Sequence, residues 1–116
     1  MASEPAIWNC KDVLEPFRWL TPRVVQVQRD LFEPEIREAW RDKVFATMAL
    51  CSQHRFIVST AYPNIYHDYV QTIASDRSEY VTWRVSASFV LSDLGLQHLA
   101  TGEGPKWPLV NVELIE

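Results

Sequence analysis

The chain has 116 residues, 47% of them hydrophobic, and a formal net charge of −4. This is enough for one packed domain over residues 1–116 and too little for two. Lys and Arg are scattered rather than clustered, so we expect no direct nucleic-acid binding. No apolar run is long enough to span a bilayer. The N-terminus lacks a basic segment followed by an apolar one, which predicts a cytoplasmic protein, in the host cytoplasm if the chain is viral.

The N-terminal segment is rich in large apolar residues. Residues 3–20 show no clean period, and they predict a short helix at 5–14 followed by an irregular segment on the core. Three large aromatic residues within twelve positions of this segment, Trp8, Phe17 and Trp19, could instead form an exposed docking patch. Residues 23–32 predict a strand, because Val25 and Val27 alternate with polar side chains.

Residues 34–54 predict a long helix around which the fold is organised. Pro34 suits the first helical position, and acidic residues gather at this end. Apolar side chains recur at every fourth residue and form one stripe. They are Ile36, Trp40, Val44 and Met48.

The C-terminal half predicts two further helices and three strands. Residues 55–62 are β-branched and aromatic and predict a strand. Residues 65–74 predict a helix with Tyr66, Tyr69, Val70 and Ile73 on one face. Residues 79–91 alternate strictly and predict a long strand. Residues 92–101 predict a short helix, and 107–115 predict the last strand.

The order of the predicted elements does not show whether the sheet is parallel or antiparallel. The alternation of apolar and polar residues along the strands must decide this. Three of the four predicted strands alternate, which is typical of a sheet with one polar face, whereas parallel strands read as continuous apolar runs. We therefore predict an α+β domain with a mostly antiparallel four-stranded sheet, loosely ferredoxin-like. The long helix at about 34–54 packs on its apolar face, with shorter helices beside it.

We find no constellation of residues that predicts catalysis. His67 and Asp68 are neighbours on a helix and point in different directions, so one cannot easily orient the other. The three histidines and two cysteines show no metal-binding spacing, and Cys10 and Cys51 are expected to be reduced thiols. We predict no catalytic residue, no cofactor and no metal.

The predicted polar sheet face is the surface that best indicates a function. It would display Gln26, Gln28, Arg84, Ser86, Ser88 and Glu113. Trp8 and Trp107 lie in irregular or terminal segments and could add binding hot spots. We predict a non-catalytic domain that binds a protein or protein complex and covers a site on it. By analogy of size and charge alone, a phage or mobile-element inhibitor of anti-CRISPR or anti-restriction type is plausible.

Two alternatives remain open. The first is a small enzyme or ligand-binding domain, with a pocket lined by Tyr66, His67, Tyr69 and His98. The second is a structural subunit of a larger assembly, which predicts a homodimer or an obligate partner with a large apolar interface.

Overall fold

The computed structural model describes residues 6–93 and 105–115, which fold around a four-stranded sheet. The strands lie side by side in the order in which they occur in the chain. They are β1 (Ala6–Trp8), β2 (Val24–Val27), β3 (Arg55–Ser59) and β4 (Val112–Ile115). The α-helices of the described residues are α1 (Glu38–Leu50), α2 (Pro63–Ser75) and α3 (Arg77–Asp93).

The predicted antiparallel, loosely ferredoxin-like sheet is wrong, because all three neighbouring strand pairs run parallel. The prediction relied on alternation, which normally separates antiparallel from buried parallel strands. In β2, Val25 and Val27 are buried while Gln26 is exposed. Among the described residues only one face of this parallel sheet is covered, so its strands alternate as the strands of a half-exposed antiparallel sheet do.

The winding of the chain explains why the described helices cover only one face of the sheet. Crossovers between parallel strands are nearly always right-handed. When strand order equals chain order, every crossover then places its helix on the same face. A doubly wound sheet reverses its order and has helices on both faces. The covered face supplies the sheet's share of the core: Trp8, Val25, Val27, Phe56 and Val58.

Helix α1 is shorter than predicted and buries only the second half of the predicted stripe, since Ile36 precedes the helix and Trp40 is partly buried. It starts at Glu38, because residues 33–36 form turns instead, with the Ile36 amide donating to Glu33 O at 3.0 Å. Val44 and Met48 are fully buried. At the other end the Asn111 side-chain amide contacts three backbone oxygens, those of Met48, Cys51 and His54, at 2.8–3.3 Å.

The segment predicted as the longest strand, 79–91, is a helix, and that prediction is wrong. The side chain of Asp76 accepts hydrogen bonds from the backbone N–H groups of Ser78 and Glu79, as an N-terminal cap does. The sequence satisfies a period of two and a helical period at once. The structure follows the second, which buries Trp83, Ala87 and Val90 on one side of α3.

The remaining elements are partly as predicted. Helix α2 buries Tyr66, Tyr69, Val70 and Ile73, which confirms the predicted face. The predicted helix at 5–14 is wrong: β1 is followed by turns and a 3-10 helix at Glu15–Arg18. The predicted helix at 92–101 falls mostly outside the described residues. None of the helices within the described ranges is long and apolar enough to cross a membrane.

Candidate functional site

Among the described residues, no helix or strand covers the side of the sheet opposite the helices. Strand register places Ile7, Gln26, Ile57 and Glu113 in one row across it. We call this surface the open face. Its members are Ile7, Val24, Gln26, Arg55, Ile57, Ser59, Glu113 and Ile115.

The open face combines exposed apolar side chains with a few polar ones. Ile7 and Ile115 are each 56% exposed and Val24 is 48% exposed. The Arg55 guanidinium donates to the Glu113 carboxylate, so the two charges of the face are paired and sum to zero. Such a face can bury apolar area against a partner and fix its orientation through hydrogen bonds.

A shallow depression lies towards the carboxyl ends of the strands on this face. It has a volume of about 400 Å³, and its lining includes Gln26, Gln28, Ile57, Ser59 and Ile115. Ligands of parallel sheets bind at this end of the strands. The structure thus brings together three of the predicted binding residues, since Gln26, Gln28 and Glu113 are all exposed here.

The other predicted binding residues lie elsewhere. Arg84, Ser86 and Ser88 belong to helix α3 and are partly buried, because the predicted strand is a helix. Trp8 is fully buried in the core. Its indole N–H donates to Asp12 O at 3.0 Å, which satisfies its one polar group inside the protein.

Trp107 is also a core residue rather than a displayed one. Its ring stacks on Phe45 at 5.7 Å between centroids and meets Trp83 edge-on at 5.0 Å. In the part of the chain that the structure describes, the buried N–H groups of Trp83 and Trp107 find no acceptor. Both rings instead pack against aromatic neighbours.

The three described residues of the predicted pocket, Tyr66, His67 and Tyr69, do not face a common space. Tyr66 and Tyr69 point into the core, where both rings contact Phe32 edge-on at 5.3 and 5.7 Å. His67 lies on the exposed side of α2, where its ring contacts that of Tyr66. His98 lies outside the described residues.

A small cavity between the three helices contains a polar pair that sequence reasoning missed. The Tyr69 hydroxyl donates to the Asp42 carboxylate at 2.6 Å. Burial raises the pKa of Asp42, and burial together with this carboxylate raises that of Tyr69. The cavity measures about 200 Å³ and is also lined by Glu38, Arg41, Asp68 and Glu79. Within the described ranges no three acidic, His or Cys side chains converge closely enough to hold a metal ion.

A basic groove lies where β1 and β2 end and α1 begins. Its volume is about 580 Å³, and four cations and one carboxylate line it, for a formal net charge of +3. These are Lys11, Arg29, Glu35, Arg37 and Lys43. No cluster is visible in the sequence because the cations come from three separate segments. The groove could hold an anion, since the first N–H groups of α1 lack a side-chain cap.

Two comparisons with known proteins, one with curated proteins and one with solved structures, give no match. A comparison with protein-family models gives one result. The model described as "Protein of unknown function (DUF5131)" matches residues 3–108, which is most of the chain. The chain therefore belongs to the DUF5131 family.

Proposed function

We propose that this chain is a non-catalytic protein-binding domain whose docking surface is the open face. One observation supports this most: the sheet is entirely parallel, yet only one of its faces is covered by the described helices. Parallel sheets occur almost only with both faces covered. A protein partner on the open face would complete the usual arrangement.

The magnitude of the apolar contribution supports a specific interface. Burying one exposed Val or Ile fully is worth about 1.5–3 kcal/mol. The open face offers four such side chains, Ile7, Val24, Ile57 and Ile115, three of them about half exposed or more. Covering them supplies several kcal/mol, which is large enough to offset part of the entropy cost of association.

A photo-crosslinking amino acid in place of Gln26 tests the docking surface. The matched control replaces Gln71, which is exposed on α2, away from the sheet. In a lysate of the natural host, position 26 should crosslink to one protein in stoichiometric yield and position 71 should not. Ile57→Arg should then abolish binding of the purified partner. Equal crosslinking from both positions would contradict the proposal.

An inhibitory role stays a prediction within this proposal. A domain without catalytic residues inhibits an enzyme by occupying a site on it. If the crosslinked protein is a CRISPR or restriction nuclease, adding the purified chain should block DNA cleavage, and Ile57→Arg should relieve the block. A nuclease that cleaves equally well with the chain bound would rule out inhibition.

The basic groove supports a second candidate function, the binding of a small anionic ligand. Four cations around one concavity at the carboxyl ends of two parallel strands match the usual position of such sites. Calorimetric titration with inorganic phosphate should detect binding that Arg29→Ala weakens. Arg77→Ala, which removes an exposed cation outside the groove, should leave it unchanged. Equal affinities in all three proteins would remove this candidate.

A further inference from the structure

We propose that the basic groove binds a nucleoside diphosphate, with the phosphates on its cations, the ribose on Glu35 and the base against Trp40. This inference rests on the second candidate function, because it names the class of anion that the groove holds. It follows from the charge of the groove, from an acidic and an aromatic residue that also line it, and from its size.

The cations of the groove are not neutralised by ion pairs within the part of the chain that the structure describes. No ion pair there involves Lys11, Arg37 or Lys43. Arg29 has only Glu33, at 3.9 Å. The lining therefore keeps its formal charge of +3, in a chain whose net charge is −4. Like charges that converge in one concavity repel each other, and a bound polyanion removes this repulsion.

The size of this charge indicates a ligand with two phosphate groups. A phosphate monoester carries about −1.5 to −2 at neutral pH, because its second pKa is about 6. A second phosphate group in the same ligand adds about one further negative charge. A nucleoside diphosphate thus comes close to neutralising the lining, whereas a monophosphate leaves part of the positive charge unpaired. We therefore expect the diphosphate to bind more tightly than the monophosphate.

Glu35 indicates that the ligand is more than a simple anion. Its side chain lines the same groove as the four cations, and it forms no ion pair among the described residues. A carboxylate repels phosphate and accepts hydrogen bonds, so it suits a ligand that also carries an uncharged donor. The ribose of a nucleotide carries such donors in its hydroxyl groups, and dinucleotide-binding sites use an acidic residue for this contact.

Trp40 gives the groove an aromatic surface. It lies in the first turn of α1, is partly buried, and lines the groove together with Lys43, three residues further along the same helix face. Nucleobases stack on aromatic side chains, and any base does so because every base has a π face. Stacking on Trp40 therefore adds affinity without selecting a base. We expect ADP and GDP to bind with similar affinity.

The groove has the size of a nucleotide site, and its walls are fixed by contacts that need no ligand. Its volume of about 580 Å³ lies within the range of about 300–1,000 Å³ that is usual for small-molecule sites. The Lys11 N–H donates to Asn9 Oδ1 at 3.0 Å, which fixes the turn after β1. The Phe32 N–H donates to the Asp30 carboxylate at 3.0 Å, which fixes the segment after β2. A preformed site loses less entropy when its ligand binds.

Calorimetric titration of the purified full chain with ADP, AMP and inorganic diphosphate tests this proposal. We expect ADP to bind more tightly than either of the other two. Trp40→Leu should weaken ADP binding by about tenfold, the effect of losing one stacked base, and leave diphosphate binding unchanged. Trp40→Phe keeps a ring and should retain most of the affinity for ADP. It thereby separates loss of stacking from loss of folding.

Substitutions of the charged residues provide the matched comparison. Arg37→Gln should weaken ADP and diphosphate alike, whereas Arg77→Gln, which removes an exposed cation outside the groove, should weaken neither. Glu35→Ala should lower the ratio of ADP affinity to diphosphate affinity, because it removes the ribose contact and a charge that repels phosphate. Glu35 is exposed and precedes α1, so this variant should keep the wild-type melting temperature.

The possible failures can be told apart. If diphosphate binds as tightly as ADP, and neither Trp40→Leu nor Glu35→Ala changes the ratio of the two affinities, the nucleotide is overturned and the anion-binding candidate stands. If neither ligand binds, both are overturned. Docking of a protein on the open face is tested separately, by crosslinking from position 26.

Discussion

At the scale of single residues, the ionisation of the buried Asp42 side chain affects stability. Burial raises the pKa of its carboxyl group above the unfolded value of 3.8. Between that value and the raised pKa, the folded state binds more protons than the unfolded state, so stability falls as pH rises. The cost at neutral pH is about 1.4 kcal/mol for each unit by which the pKa is raised.

Asp42→Asn should remove this pH dependence while keeping an oxygen acceptor for the Tyr69 hydroxyl. We expect the variant to gain stability relative to wild type as pH rises above 3.8, and to reach a constant difference above the raised pKa. Urea unfolding at a series of pH values measures this. If the difference in free energy of unfolding between wild type and Asp42→Asn does not change with pH, the pKa of Asp42 is not raised by folding.

Asp76→Asn is the control of opposite sign. The pKa of the Asp76 carboxyl group is lowered because its carboxylate accepts hydrogen bonds from the backbone N–H of Glu79 and from Ser78. Its contribution is therefore present above the unfolded pKa and is lost as pH falls through the folded pKa. Wild type should gain stability over Asp76→Asn as pH rises, whereas it loses stability relative to Asp42→Asn.

The two cysteines should be unreactive in the folded protein. Cys10 and Cys51 are free, fully buried thiols, and burial raises the pKa of each to about 12. Thiolate, not thiol, is the reactive form. At neutral pH, Ellman's reagent should detect no thiol in the native protein and two after unfolding in denaturant. Rapid reaction of either cysteine under native conditions would show that its surroundings are open.

At the scale of elements, Asn111 joins the end of α1 to the sheet. Its side-chain N–H groups are shared among the backbone carbonyls of Met48, Cys51 and His54. Its backbone carbonyl accepts a hydrogen bond from the backbone N–H of Phe56 at 2.7 Å. The sequence pattern does not predict this role, because strand alternation does not reveal contacts with a distant helix end.

Asn111→Ala should therefore destabilise the protein by about 1–3 kcal/mol, the cost of leaving buried carbonyls without a donor. Asn111→Asp should cost more, because a carboxylate would face the same carbonyl oxygens. Chemical denaturation measures both values. Equal stability of wild type and Asn111→Ala would mean that water replaces the amide at no cost.

The second element-scale prediction concerns Trp107, which connects the segment before β4 to the helices. Because its ring lies between Phe45 and Trp83, Trp107→Ala should lower the free energy of unfolding by about 3 kcal/mol. A displayed docking residue would instead lose partner binding without loss of stability. A melting temperature within a degree or so of wild type would contradict the core placement.

The elements differ in how well the sequence predicted them. Helix α2 was predicted with the correct buried face and strand β2 with Val25 and Val27 on one face, since each has one dominant period. Strand β3 was predicted from its β-branched and aromatic residues, without a buried face. Helix α3 was missed because Trp83 and Ala87 satisfy strand and helix patterns together. The local signal that favours helix α3 is Asp76, whose side chain caps the backbone N–H groups of Ser78 and Glu79.

At the scale of the whole molecule, the sequence pattern could not predict that the strands are parallel, nor the full set of residues on the open face. Alternation predicted a half-exposed sheet, which is correct, but half-exposure usually accompanies antiparallel strands. Gln26 and Glu113 were therefore correctly placed on an exposed face, because side chains alternate between the two faces in parallel and antiparallel strands alike. Arg84 and its neighbours were added to that face only because α3 was taken for a strand.

The central claim is that the open face is exposed in the isolated chain and covered by a protein partner. Maleimide labelling of Gln26→Cys tests it directly, against Val27→Cys on the covered face and the unreactive native thiols. In dilute protein, position 26 should label as fast as an exposed thiol and position 27 far more slowly. The rate at 26 should then fall when the chain is concentrated or its crosslinked partner is added. A labelling rate at position 26 that stays the same at higher protein concentration and after addition of the partner would contradict the account.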